Sequence, residues 1–217
     1  MAERGKSVLL AGATGLVGGA LLERLFADAA FAKITVIARR PLTHVRHRKL
    51  SVHMLDFDKL DQHADLFHVD QIFWALGTTI KQAGSREGFR AVDFGYAEKA
   101  AHLGAQAGAK HFLLVSALGA DIDSGVFYNR VKGETEQIVM ALPYRSVTIV
   151  RPSFLLGPRE EFRPGELIAR QFARFAPAKY RAVEASDVAM ALVSAAKIDA
   201  PGHTIIESRD IPRVGWK

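Results

Sequence analysis

The chain has no cysteine in its 217 residues. Disulfides, thiolate catalysis and cysteine-ligated zinc or iron–sulfur centres are excluded at once. Long apolar runs are absent too: no stretch approaches the roughly 18 uninterrupted apolar residues of a membrane helix. The start, MAERGKSVLLAG, holds an apolar run too short for a signal peptide, so no export leader is expected. There is no internal repeat, low-complexity run or Gly/Ser linker. Charge is modest, with 29 Lys and Arg against 23 Asp and Glu, a formal +6. That balance suits an anionic partner such as a nucleotide. What is present is ordinary globular material, 49% hydrophobic and 24% charged. It excludes a disordered chain and is long enough to bury one core. One domain over 1–217 is expected.

Apolar runs alternate with amphipathic stretches. SVLLA (Ser7–Ala11), ITVIA (Ile34–Ala38), Ser51–Leu55, QIFWAL (Gln71–Leu76), HFLLV (His111–Val115) and SVTIV (Ser146–Val150) read as strands. The β-branched, continuously apolar runs among them are those of strands covered on both faces. Leu16–Phe26, with Val17, Leu21 and Leu25 four apart, reads as a helix, as do Arg86–Ala107 and Asp123–Ala141. Steady alternation predicts an α/β fold: a doubly wound parallel sheet with helices on both faces. After Pro152 the pattern loosens, broken by Pro158, Pro164 and Pro177. Residues from about 153 to 217 are expected to form a small substrate-side cap, including a helix over Ala185–Ile198 capped by Ser186 and a strand over His203–Glu207. Phe172 and Phe175, with Leu167 and Ile168, are expected to close that cap.

Between the first strand and the first helix lies Gly12-Ala13-Thr14-Gly15-Leu16-Val17-Gly18. Gly12 permits a tight turn out of the strand, Gly15 lets backbone approach a pyrophosphate, and Gly18 allows close packing of helix on strand. Free N–H groups at the helix N-terminus then face phosphates, aided by the helix dipole. Alone the triplet would be a flexible turn; placed after a strand and opening a helix, it favours a Rossmann-type nucleotide site. A carboxylate usually ends the second strand of an NAD site. Here that strand ends in Arg39 and Arg40, whose guanidiniums match a 2′-phosphate and so favour NADP(H) over NAD(H). Asp56, after the third strand, is a candidate partner for the adenine amino group, or equally a turn residue. The wider basic patch continues through His44, Arg46, His47, Arg48 and Lys49. It lacks aromatic residues for stacking on bases, so a solvated loop is expected there and nucleic acid is not.

Tyr128 and Lys132 stand four apart on a helix and so share a face. An ammonium beside a phenol favours its ionised form, which equips a tyrosine to exchange a proton with a carbonyl or alcohol oxygen. Ser116 ends the fifth strand, at the sheet edge where parallel α/β folds bind ligands. Its hydroxyl is suited to holding the substrate oxygen beside Tyr128.

GATGLVG, the serine of VSALGAD, YNRVK and RPSFLLGPR occur in that order. Together they resemble a short-chain dehydrogenase/reductase. ALGTTIKQAG followed by FRAVDFGYAEKAA is similar to the atypical branch that contains the Tat-interacting-protein oxidoreductases, over roughly residues 7–190. The resemblance implies that Gly12, Thr14, Gly15, Leu16 and Val17 line a pyrophosphate and that Arg39 and Arg40 take the 2′-phosphate. Leu76, Gly77 and Thr78 would run beside the adenosine ribose and phosphates. Ser116, Tyr128 and Lys132 would be catalytic, with Lys132 also on the nicotinamide ribose, and Pro152 through Leu155 would pack on the nicotinamide. Many relatives carry an Asn in the helix after the fourth strand, where it orders a relay water; the matching residue here is Asp93. Relatives often dimerise through the helices spanning 86–107 and 123–141, and the alanines at 97, 100, 101 and 105 would permit close approach.

The other features have plainer readings. Trp74 is core, Asp187 is an acid in a helix's first turn, and the histidines, His102 and His111 included, lack metal-ligand spacing. Two functions remain. One is a cytoplasmic NADP(H)-dependent oxidoreductase acting reversibly on a small carbonyl or alcohol. The other is an NADP(H)-sensing regulatory protein that binds a protein partner without turnover. The presence of both Tyr128 and Lys132 favours the enzyme.

Overall fold

The computed structural model describes residues 5–43, 45–157 and 181–214. His44, Pro158, Arg159, Phe162, Pro164, Leu167, Ile168, Phe172, Phe175, Pro177 and Tyr180 lie outside the described residues, and with them the side chains expected to close the cap.

Seven strands form one sheet: β1 (Lys6–Ala11), β2 (Phe31–Ala38), β3 (Leu50–Met54), β4 (Gln71–Trp74), β5 (His111–Val115), β6 (Ser146–Arg151) and β9 (Gly202–Glu207). Their order is β3-β2-β1-β4-β5-β6-β9. Every adjacent pair is parallel. The chain winds outward from β1 to β3, then crosses back to β4 on the other side of β1. This reversal opens a crevice at the carboxyl ends of β1 and β4, the place where such sheets bind ligands. Alternation along the strands supplies two cores. Val8 and Leu10 of β1 face α1 (Leu16–Ala27) and the later helix α6 (Ala185–Ile198). Leu9 and Ala11 belong to the opposite core, with a 3₁₀ helix (Phe57–Phe67), α4 (Tyr96–Gln106) and α5 (Phe127–Ala141). Trp74 is 1% exposed in that core, as expected.

The remaining elements are short. A helical turn α2 (Ile80–Ala83) precedes α3 (Arg86–Arg90), and a π-helical turn (Ala91–Gly95) joins α3 to α4. The expected helix over 86–107 is therefore helical throughout from Arg86 to Gln106, with a π turn in its first half. β7 (Leu155–Leu156) pairs with β8 (Val183–Glu184), and α7 (Ile211–Val214) ends the described chain.

Several expectations shift for local reasons. α5 starts at Phe127, because the Asp121 carboxylate accepts from Asp123 N and the Ser124 hydroxyl from Val126 N, holding 121–126 in turns. Ser186 does not cap α6; Glu184 stands at that position without a side-chain cap, because β8 runs straight into the helix. Asp187 does lie in its first turn. The basic patch is not wholly a solvated loop. Lys49 Nζ donates to the carbonyls of Phe26 (2.9 Å) and Asp28 (2.7 Å), closing the C-terminal end of α1, and His47 stacks on Phe26. Ala97, Ala100 and Ala101 are fully buried against the chain's own sheet, so that alanine face is not free for a partner.

Candidate active site

The turn after β1 is shaped by backbone contact. Gly12 has φ +89°, and a Cβ there would run into the carbonyl of Ala75, just past β4. A Cβ on Gly18 would strike the Gly12 carbonyl, so only glycine lets α1 start this close to the strand. Gly15 N bonds Gly12 O at 2.9 Å and is the N-cap of α1, with no side-chain cap and no acid in the first turn. The other N–H groups of that turn stay open to an anion.

Beside this turn lies a depression whose walls include Gly12, Thr14, Arg39, Arg40, Phe57 and Leu76. Arg39 and Arg40 are exposed and form no ion pair among the described residues. Phe57 is a wall that sequence reasoning missed; it opens the 3₁₀ helix, and its apolar spacing with Leu60 and Phe67 is masked by intervening acids. Asp56 caps that helix, accepting from Asp58 N at 3.0 Å, which is the turn role of its two candidate roles.

At the centre of the sheet edge, Ser116 follows β5 and donates its backbone N–H to Val150 O at 2.8 Å. It is 5% exposed, yet its Oγ has no hydrogen-bond partner among the described residues. Buried hydroxyls are normally paired, so this one has capacity for a ligand. On α5, half-buried Tyr128 packs its ring on Phe89 at 5.2 Å between centroids. The Lys132 ammonium lies 6.0 Å from the Tyr128 ring centre and 2.6 Å from Asp93 Oδ1. Burial pulls the Lys132 pKa down, but the charge of Asp93, with Tyr128 and Glu136, outweighs it and the net direction is upward. Lys132 therefore stays an ammonium.

Thr78 N donates to Asp93 Oδ2 at 2.8 Å, fixing the turn after β4. Pro152 is buried and its carbonyl accepts from Leu118 N at 2.9 Å, tying the chain after β6 to the loop behind Ser116. Farther along, Gly157 comes against the Leu16 side chain at the mouth of the phosphate turn. Leu155, in β7, packs on the α1 side of the core. Gly12, Thr14, Arg39, Arg40, Leu76 and Ser116 each follow the carboxyl end of a parallel strand and so share one edge of the sheet. Sequence reasoning also missed Arg151, which bonds Glu136 and Glu207, because its partners lie 15 and 56 residues away.

A Gly-shaped anion turn, two arginines beyond the second strand with no ion-pair partner among the described residues, and a Ser, Tyr and Lys along the same sheet edge fit a nucleotide-binding Rossmann fold. Comparison with known proteins agrees. The profile of a family described as NAD(P)H-binding matches residues 12–199. The chain belongs to that NAD(P)H-binding family. It is 41% identical over 170 residues to Protein HTATIP2 of Rattus norvegicus, covering 77% of this chain and 70% of that one. It is also 33% identical over 231 residues to Protein fmp52, mitochondrial, of Aspergillus clavatus, covering 97% and 99%. That relative is named mitochondrial, in contrast to the cytoplasmic location expected from the sequence. Among solved structures, the Bordetella bronchiseptica enzyme WbmH in complex with NAD+ superposes with a TM-score of 0.74 at 16% identity, over 94% of this chain and 76% of that one. MoeE5 in complex with UDP-glucose and NAD gives 0.71 at 18% identity, over 94% and 79%. These likenesses carry the fold.

Proposed function

We propose that the protein is an NADP(H)-dependent oxidoreductase that interconverts a small carbonyl and its alcohol. The observation that carries this reading is Ser116 Oγ, a buried hydroxyl without a partner, at the same sheet edge as Tyr128 and the buried Lys132 ammonium. Open amides at the start of α1 receive the pyrophosphate. Arg39 and Arg40 receive a 2′-phosphate, which supports NADP(H) over NAD(H). When bound, the nicotinamide supplies or accepts the hydride. Ser116 holds the substrate oxygen, Tyr128 gives that oxygen a proton or removes one, and Lys132 keeps positive charge beside the phenol. Chain around Pro152 walls off water on the far side.

Calorimetry with NADPH and NADH, followed by NADPH oxidation against a panel of small aldehydes and ketones, tests the reading. Submicromolar to micromolar NADPH binding with carbonyl-dependent oxidation is the expected result. Tight NADPH binding with no turnover on any carbonyl would favour the sensing role instead, and no nucleotide binding would end both.

A further inference from the structure

Asp93 is the buried carboxylate of this site. Its side chain is fully shielded from solvent, and it sits inside the π turn (Ala91–Gly95) between α3 and α4. π turns displace one residue from the regular helical register and are frequent at functional sites. Here the displaced residue is tied to its surroundings three times. The backbone carbonyl of Asp93 accepts from Thr135 Oγ1 on α5 at 3.1 Å. Its Oδ2 accepts from Thr78 N at 2.8 Å, in the turn after β4. Its Oδ1 meets Lys132 Nζ at 2.6 Å. A Cβ built on Gly77 would lie 3.4 Å from Asp93 Oδ1 and 3.7 Å from Lys132 Nζ. The ion pair therefore lies directly under the Gly77 backbone with no side chain between. One carboxylate joins the turn after β4, the helix that follows it and α5.

A lysine ammonium has three N–H donors. Asp93 is the one ion-pair partner of Lys132 among the described residues. The ammonium is thus held in one place with donors to spare. We propose that Asp93 is a positioning residue for the nicotinamide-ribose half of the nucleotide: it clamps the Lys132 ammonium beneath Gly77 so that its remaining donors meet the ribose hydroxyls. This rests on the nucleotide reading above. Without the carboxylate, the ammonium is drawn toward Glu136, one turn further along its own helix, which already carries Arg151. The adenosine half, held by the α1 turn and Arg39 and Arg40, does not touch this clamp.

The test is calorimetry with two ligands, NADPH and adenosine 2′,5′-bisphosphate, which has no nicotinamide ribose. Asp93→Asn keeps the shape and the Thr78 contact but removes the charge. It should weaken NADPH about tenfold or more, the scale of one lost charged hydrogen bond, and leave the bisphosphate within about twofold. A purely structural role would weaken both ligands alike, and equal losses, like no loss at all, overturn the proposal. Because Asp93→Asn leaves a buried ammonium unpaired, Asp93→Asn with Lys132→Met supplies a variant that buries no charge. It should bind the bisphosphate as the parent does and NADPH no more weakly than Lys132→Met alone. A further loss in the double variant overturns the clamp. A parent that binds neither ligand overturns the nucleotide reading as well, whereas binding of both with the split absent overturns this one alone.

Discussion

Arg151, at the end of β6, grips Glu136 of α5 through two nitrogens, Nε at 3.0 Å and Nη2 at 2.5 Å. Glu136 is only 2% exposed. The hydrogen bonds with Glu136 push the guanidinium pKa up despite the cost of burial, so Arg151 stays a cation. The same guanidinium reaches Glu207 of β9 at 2.9 Å, so one side chain staples strand, helix and edge strand next to the site.

Breaking this staple from its cationic side should be expensive. Arg151→Ala leaves Glu136 buried without its cation and is expected to cost about 3 kcal/mol or more. Glu207→Ala removes only the more exposed arm and should cost about 1 kcal/mol or less. Urea denaturation followed by circular dichroism measures both. Equal losses would show that the buried arm does not dominate.

A second prediction concerns acid stability. His111 is 1% exposed, with Nδ1 2.9 Å from Asp199 Oδ1 and Nε2 2.9 Å from Thr148 Oγ1. Lys6 and Arg145 also lie on Asp199, at 3.1 Å and 3.5 Å, so its charge is already shared. Burial accordingly holds the His111 pKa down to about 4. An unfolded histidine titrates near 6.5. The unfolded chain thus takes up a proton first as pH falls, and stability drops from about pH 6.5 toward 4. The full loss is on the order of 3 kcal/mol. The lowered pKa of Asp199, opposed by burial but set by Lys6, His111 and Arg145, adds loss only below the ordinary carboxylate range. Urea midpoints at pH 7.5 and 5 should differ in the parent and much less in His111→Asn. A midpoint flat over that interval would contradict the buried neutral ring.

What the sequence disclosed and what it hid follow from the range of the interactions. β5 and α6 lie where the sequence pattern places them, because a short apolar run and a long amphipathic one each carry their own period. The phosphate turn was legible because its glycines answer to contacts within the turn and with the neighbouring strand. Asp93 was visible only as a departure from an expected Asn. Its bond to Lys132 spans 39 positions and depends on a π turn that has no sequence signature. The Arg151 staple was hidden for the same reason. The Ala-rich face of α4 shows the converse: its composition fits a partner helix and the chain's own sheet equally, and only packing decides.

Cofactor choice offers a third prediction. Arg39 and Arg40 wall the depression beside the α1 turn and have no ion-pair partner among the described residues. A charged hydrogen bond is worth about 1.5–3 kcal/mol. Arg39→Ala should therefore weaken NADPH at least tenfold and leave NADH nearly unchanged. Calorimetry showing equal NADPH and NADH affinities in the parent would remove the basis for the preference.

The last prediction separates proton transfer from binding. General acid–base catalysis is typically worth about 10²–10⁴-fold. Tyr128→Phe should lower turnover by that order and hardly change NADPH affinity, because in the proposed mechanism the lost hydroxyl faces substrate, and the ring keeps its packing on Phe89. Lys132→Ala should damage both, since in the proposed mechanism one ammonium serves the phenol and the ribose. Ser116→Ala should reduce turnover less than Tyr128→Phe. It removes an orienting hydroxyl and keeps the proton donor, and because Ser116 Oγ has no partner among the described residues, its loss strands no buried group. Stability should accordingly stay near the parent's for Ser116→Ala. For Lys132→Ala it should fall by about 3–5 kcal/mol, because the fully buried Asp93 carboxylate loses its cation. Steady-state rates on any carbonyl found by the panel, set beside NADPH affinities and urea midpoints, give all three columns of the comparison. Full turnover in Tyr128→Phe would remove the tyrosine from proton transfer, and a drop in NADPH affinity as large as the drop in turnover would make it a binding residue instead.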